Sequence, residues 1–393
     1  MRSNQITIPG GVLRKAVRFA GQSVPSSALV PALANILVDP DENESGCLLW
    51  LTGSDMRNTT QIGVHCQLTA MSSGDDDQSF LLPYETLHKL LATLPEGPIT
   101  INVDDKTATI LTDASRYKMT IEPGIDYPKP KLPDTTSLIA LGTDGVSDLL
   151  VGLKAVSYAM ASEEKNVALT GVCMDIDSHG ITLAASNDNC LSRYHINLLS
   201  NFGEARRIIV TPHFVKLLEK VLGDSQIDFS ESWLRIGERS IEVHAAFISM
   251  RGGLIDAEFP SYEAGFRGES AVTSEIDRVA LMAALSRTLL VANPVTNQVR
   301  MSFMASSLVI QAEDDMLGRE GQEKLDCETE GGYMEIGFNA KKLLANLQHT
   351  SGDTVRLGME TPMAVAMLYG MDDNHVTLVM PSVLSEIVMP KET

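Results

Sequence analysis

The chain has 393 residues, a formal net charge of −20, 44% hydrophobic and 21% charged residues. That length exceeds a single compact domain, and the composition excludes wholesale disorder. No run of about 18 apolar residues offers a membrane span, no apolar stretch follows Arg2 to make a signal peptide, and so acidic a chain repels phosphates unless its charge is segregated.

In chain order, an amphipathic helix is predicted at 11–21, with Val12, Leu13, Ala16, Val17 and Ala20 turned to a core. Alternating segments at 47–53 and 60–66 read as strands. A second helix at 82–94 opens at Pro83, and strands follow at 98–103 and 107–112 around the turn Asp104-Asp105. Prolines then mark a joint at 125–130, since proline cannot donate to a sheet ladder. The succession returns as helix 146–160, strands 180–186 and 190–197, helix 212–222, strands 226–229 and 233–237, and a similar joint at 258–262. It returns again as helix 278–291, strands 299–303 and 307–312, helix 339–348, and strands 354–358 and 363–369. The second helix of each set carries a Leu-Leu pair, beginning at 90, 217 and 343, so the repeat spacings are 127 and 126 residues. The expectation is an α+β chain of three repeated modules, 1–137, 138–270 and 271–393, each running helix, strands, helix, strands.

The charge is not spread evenly. The six predicted helices hold eleven basic residues: Arg14, Lys15, Arg18, Lys89, Lys154, Lys216, Lys220, Arg278, Arg287, Lys341 and Lys342. Against them stand only Glu85, Asp148 and Glu219, so the helices net +8 and the remaining residues −28. A solvated face accounts for any one helix. Summed over six, the bias describes a positive stripe on an acidic body, the footprint of a protein that meets a nucleic-acid backbone.

Taken together, these features resemble the β subunit of bacterial DNA polymerase III, the sliding-clamp family. The stretches that carry the resemblance are Tyr333–Asn339 entering the last helix, Met160-Ala161 leading to Leu169–Val172, Phe259–Tyr262, Val30–Leu37 and Leu378–Pro381. The resemblance implies a head-to-tail homodimer closing six modules into a ring, helices inside and sheets outside, around double-stranded DNA held without sequence specificity. It implies a dimer interface of Tyr117 and Met119 against Leu289 and Leu290, four residues that read equally well as core. It also implies a cleft that tethers the polymerase III α subunit, the clamp loader and other proteins through a short hydrophobic motif. The aligned cleft positions are Leu169, Ser186, Asp188, Asn189, Cys190, Leu191, Pro260, Phe266, Pro362, Val379, Met380 and Pro381. An apolar pocket with few polar anchors suits such a motif, although Leu169, Leu191 and Val379 also read as core.

The departures from the family are specific. Cys190 stands where the family has an arginine, which removes a planar five-donor group. Ser27 replaces an arginine of the inner surface, and the acidic loop Ser162–Asn166 keeps only Lys165 as a phosphate contact. Residues 385–393 extend past the family's usual end and repeat its Val-Met-Pro, so this tail is expected to lie across or beside the cleft and modulate partner binding.

No Gly-x-Gly-x-x-Gly, P-loop, Cys-x-x-Cys or His-Glu-x-x-His is present, so no catalytic site, cofactor or metal is expected. Asp75–Asp77, Asp104-Asp105 and Asp372-Asp373 read as solvated turns. The five cysteines, Cys47, Cys66, Cys173, Cys190 and Cys327, are odd in number and scattered, which favours free thiols in a reducing cytoplasm. Two other functions fit less of the chain: a non-replicative clamp relative with an adapted cleft, and an acidic hydrolase with a dispersed site.

Overall fold

The computed structural model describes residues 4–43, 46–69, 78–128, 137–162, 165–198, 205–225, 227–266, 268 and 270–384. Strands and helices recur three times. The first set is β1 (Asn4–Pro9), α1 (Gly10–Ala20), β2 (Asn35–Asn43), β3 (Gly46–Ser54), β4 (Thr59–Thr69), β5 (Phe80–Pro83), α2 (Tyr84–Thr93), β6 (Pro98–Asp104), β7 (Thr107–Leu111), β8 (Arg116–Thr120) and the short β9 (Glu122–Pro123). The second is β10 (Ser137–Ala140), α3 (Gly142–Val156), β11 (Val172–Asp177), β12 (Gly180–Ser186), β13 (Cys190–Ile196), β14 (Arg206–Val210), α4 (Pro212–Leu222), β15 (Ser232–Ile236), β16 (Ser240–Ala245) and β17 (Ile248–Gly253). The third is β18 (Val272–Asp277), α5 (Arg278–Thr288), β19 (Gln298–Met304), β20 (Ser307–Asp314), β21 (Arg319–Glu330), β22 (Met334–Asn339), α6 (Ala340–Gln348), β23 (Thr354–Met359), β24 (Ala366–Tyr369) and β25 (His375–Val379).

The pairing repeats with the elements. In each set the first strand heads a row of four, in the order β1-β6-β7-β8, β10-β15-β16-β17 and β18-β23-β24-β25. The other strands pair as β9-β5-β2-β3-β4, β14-β11-β12-β13 and β22-β19-β20-β21. All these ladders are antiparallel. Two further ladders join one set to the next: β17 pairs with β4, and β25 pairs with β13.

The chain forms two compact units, Met1–Val146 with Lys216–Leu254, and Ser147–Val215 with Ile255–Thr393. In the first, α1 buries Leu13, Ala16, Val17 and Ala20 with α2's Leu87 and Leu91 against Ile6, Leu49, Leu51, Ile99 and Ile110. In the second, Leu281, Leu285, Leu343 and Leu347 of α5 and α6 meet Val299, Phe303, Ile336 and Phe338. Each leucine, isoleucine, valine or phenylalanine among them contributes roughly 1.5–3 kcal/mol on burial.

The six predicted helices form. Their starts follow from local chemistry: Pro9 and Pro83 precede α1 and α2, Asp277 accepts from the Ala280 N–H at 2.7 Å, and Asn339 accepts from the Lys342 N–H at 3.1 Å. Three expectations need correction. Every helix follows directly on a strand, so each set opens with a strand rather than a helix. The described part of 226–229 is a turn, in which Asp228 accepts from the Ser230 N–H at 2.9 Å; β15 pairs instead with β16. Helix α3 begins at Gly142, which takes in Asp144 and lowers the six helices' net charge to +7.

Candidate functional site

Nine of the eleven helix cations are exposed: Lys15, Arg18, Lys89, Lys154, Lys216, Lys220, Arg287, Lys341 and Lys342. Their spacing is helical. Lys15 and Arg18 lie three residues apart, and Lys216 and Lys220 four, each on the face opposite the buried leucines and valines. Arg14 and Arg278 are half-buried and turned elsewhere. Arg14 donates to the Leu91 and Leu94 carbonyls (2.8 and 2.9 Å) and pairs with Glu96, so it caps the C-terminus of α2. Arg278 does the same for α6, donating to the Leu347 and Gly352 carbonyls. Arg287 is held bidentately by Glu323 at 2.7 and 2.8 Å, Lys89 pairs with Glu85, and Lys220 donates to Gln22. Lys165 is exposed; Glu163 and Glu164 beside it lie outside the described residues, as do 385–393 and Asp75–Asp77.

The predicted cleft positions gather around the β13–β25 ladder. Cys190 is opposite Val379 and Leu191 opposite Leu378, and the Met380 N–H continues the ladder to the Asn189 carbonyl at 2.9 Å. Side chains alternate across a sheet, so the two faces differ. Cys190 and Val379 point inward and are 7% and 3% exposed; they are core, and burial pushes the Cys190 thiol up to about 11. Leu191 faces outward with Leu169 and Phe266, packed on Cys173, Ala184, Ile209, Phe259 and Tyr262. Ser186 donates to the Cys190 carbonyl at 3.1 Å and Asn187 accepts from the Asn189 and Cys190 N–H groups, fixing the turn that exposes Asp188. Asn189 accepts from Lys342, so a predicted cleft residue and a predicted DNA-facing residue meet. Pro260 and Met380 are exposed, Pro381 and Pro362 half-buried, and the turn holding Pro362 leads into β24, where Ala366 pairs with Val379.

Three groups escaped sequence analysis. Leu378, rather than Val379, shares the outer face with Leu191. Arg193 lays its guanidinium 4.2 Å over the Phe266 ring. Arg207 binds Asp175 bidentately (2.5 and 3.0 Å) and Glu263 as well, while the Tyr262 hydroxyl donates to Asp175, which pins the 259–266 segment beside β11 and β14. Glu263 is held down to about 2 by a backbone hydrogen bond, with Arg207 and Ser261 adding to it. The only signal for this network was a run of charged and aromatic residues with no periodicity of its own.

Behind the ladder lies a buried polar set. Ser192 donates to the Ala155 carbonyl (3.0 Å) and accepts from Thr377 (3.2 Å), which leaves His375 as donor to it through Nε2 at 2.9 Å. Burial lowers the His375 pKa to about 4. Among the described residues no group of three or more His, Cys, Asp or Glu is placed to hold a metal ion, and no helix is long and apolar enough to cross a membrane.

A threefold strand–helix repeat whose last strands are stitched to the preceding repeat defines the sliding-clamp class of fold. The sliding clamp of Pseudomonas aeruginosa crystallised with griselimycin superposes with a TM-score of 0.87 at 22% identity, covering 97% of this chain and 100% of that one. The polymerase III β subunit of Thermotoga maritima gives 0.84 at 17%, with coverage of 97% and 100%. The family model for the central domain of the DNA polymerase III beta subunit matches residues 147–261, and that for its C-terminal domain 268–383, together 231 of 393 residues. The chain belongs to the DNA polymerase III beta subunit family. The beta sliding clamp of Streptomyces coelicolor is 24% identical over 395 residues, covering 97% of this chain and 100% of the relative. That of Pseudomonas putida is 24% identical over 380, covering 95% and 98%.

Proposed function

We propose that this chain is a DNA sliding clamp: two copies close head to tail around duplex DNA and tether a polymerase and its loader. The observation that carries the proposal is the joining rule between repeats. The last strand of the second set pairs with β4, and that of the third with β13. The same rule leaves β8 and the first half of β21 as complementary edges. β8 pairs only with β7 among the described residues, and β21 is matched to β18 only from Cys327 onward. A second copy satisfies both edges, and doing so removes surfaces that otherwise invite aggregation.

The register carries over too. In the two observed joints the first four or five residues of the fourth strand, Thr59–Ile62 and Cys190–Tyr194, take the start of the partner strand. On the β4–β17 register Arg319–Gln322 would then face Arg116–Met119, setting Lys118 opposite Glu320. Tyr117 (38% exposed) and Leu290 (76%) flank these edges, with exposed Met316 and Leu317 in the turn before β21. Met119 and Leu289 are half-buried on their own cores and would support the seam rather than form its surface. The modules would run 1–137, 138–270 and 271–393.

Enclosure lets a protein of charge −20 hold DNA. Diffuse contacts from Lys15, Arg18, Lys89, Lys154, Lys216, Lys220, Arg287, Lys341 and Lys342 bind phosphates without reading bases, so no specific bond breaks at each step. Partner proteins would enter the cleft at Leu191, Phe266, Leu378 and Met380 with an apolar motif, and the clamp itself would catalyse nothing. The test is mass in solution together with retention on nicked circular and linear DNA. A dimer that outlasts on the circle is expected; a monomer, or equal escape from both DNAs, overturns the proposal.

A further inference from the structure

Two of the five cysteines are not scattered in space. Cys47 on β3 and Cys66 on β4 are direct cross-strand partners, and the Cys66 thiol donates to Cys47 Sγ at 3.1 Å. Both are half-buried, whereas Cys173, Cys190 and Cys327 are buried and sit on β11, β13 and β21. The pair lies on the helix-facing side of the hairpin, in line with Leu49, Leu51, Val64 and Leu68, at the end away from the 55–58 turn. Facing side chains there have Cβ atoms about 4.5–5.5 Å apart, within a small local closure of what a disulfide requires, about 3.5–4.5 Å.

We propose that Cys47 and Cys66 form a redox-active dithiol that closes to a disulfide by exchange with a low-molecular-weight disulfide. The Cys47 thiolate attacks one sulfur of that disulfide, breaking its S–S bond and releasing one small thiol. Cys66 then gives its proton to solvent and attacks the Cys47 sulfur, forming the protein S–S bond and expelling the second small thiol. Two protein thiols are oxidised by two electrons, and the small disulfide is reduced to two thiols. Burial, and then the hydrogen bond and charge of Cys47, push the Cys66 thiol up to about 12, which makes it the poorer first nucleophile; once Cys47 is capped as the mixed disulfide those two influences of Cys47 are gone, and proximity favours the second, intramolecular step. The bond would tie β4 to β3 between the residues that pair with β17, Thr59–Ile62, and those that pair with β1, Gln67–Thr69.

The experiment treats the folded full-length protein with oxidised glutathione, blocks free thiols with N-ethylmaleimide under denaturing conditions, and maps the peptides by mass spectrometry. The expected result is a Cys47–Cys66 linked peptide with Cys173, Cys190 and Cys327 still alkylated. In Cys66→Ser, exchange should stop at a glutathione adduct on Cys47. Full alkylation of all five thiols in the wild type, or a persistent Cys47 adduct there, overturns the proposal. The wild-type arm decides the matter even if the variant does not fold.

Discussion

Two neighbouring cations on α1 do different work. Arg14 satisfies the carbonyls at the end of α2, and Lys15 stands on the exposed face. Arg14→Ala should therefore lower the stability of the first unit by about 1–3 kcal/mol in denaturant titration, the cost of orphaned acceptors and a lost charged hydrogen bond. Lys15→Ala should leave stability within about 0.5 kcal/mol and weaken retention on DNA. His375 gives a pH signature. Its folded pKa, about 4, lies below the ordinary histidine value, so the unfolded chain binds the extra proton. Its contribution is complete above about pH 6.5 and falls away toward pH 4, by up to about 3 kcal/mol. His375→Gln should flatten the stability profile over that interval, read by thermal melts of the second unit at several pH values. An unchanged slope would assign the acid sensitivity elsewhere.

At the scale of elements, helices were the legible part, because Leu13, Ala16, Val17 and Ala20, or Leu343 and Leu347, mark a buried face by spacing alone. The short strands before each helix were not, since four to six residues such as Phe80–Pro83 are too few to show alternation. Nor was the 12-residue β21, whose buried and exposed positions give way to a polar, half-exposed ribbon. The proposed cleft positions were readable from the family resemblance, but not their faces: Cys190 and Val379 point inward, and Arg193 and Arg207 act through contacts 32 to 73 residues away in sequence, which no local pattern encodes. Packing gives an element-level prediction. A Cβ on Gly53 of β3 would sit 2.1 Å from the Ala20 carbonyl at the end of α1. Gly53→Ala must push the helix off the sheet and should cost about 1–3 kcal/mol, measured by chemical denaturation.

For the whole molecule, the proposed assembly turns on the edges of β8 and of the first half of β21, which carry no strand partner among the described residues. Lys118→Glu should convert dimers to monomers in light scattering, and adding Glu320→Lys should restore them; failure of the rescue would move the seam elsewhere. The three joints of each protomer's repeat pattern are then alike in kind but not in connectivity. β4–β17 and β13–β25 are bridged by continuous peptide, so when either frays its strands remain at high effective concentration and rejoin. The proposed β8–β21 seam has no covalent tether: when one of the ring's two seams opens, only the other noncovalent seam keeps the copies together, and when both open they rejoin at the bulk concentration of the protein. In the proposed ring, dilution or mechanical strain would therefore open these two seams before the four joints bridged by peptide. In the proposed ring a closed circle of DNA would pass through that weakest link, at a place the chain's own connectivity has already marked.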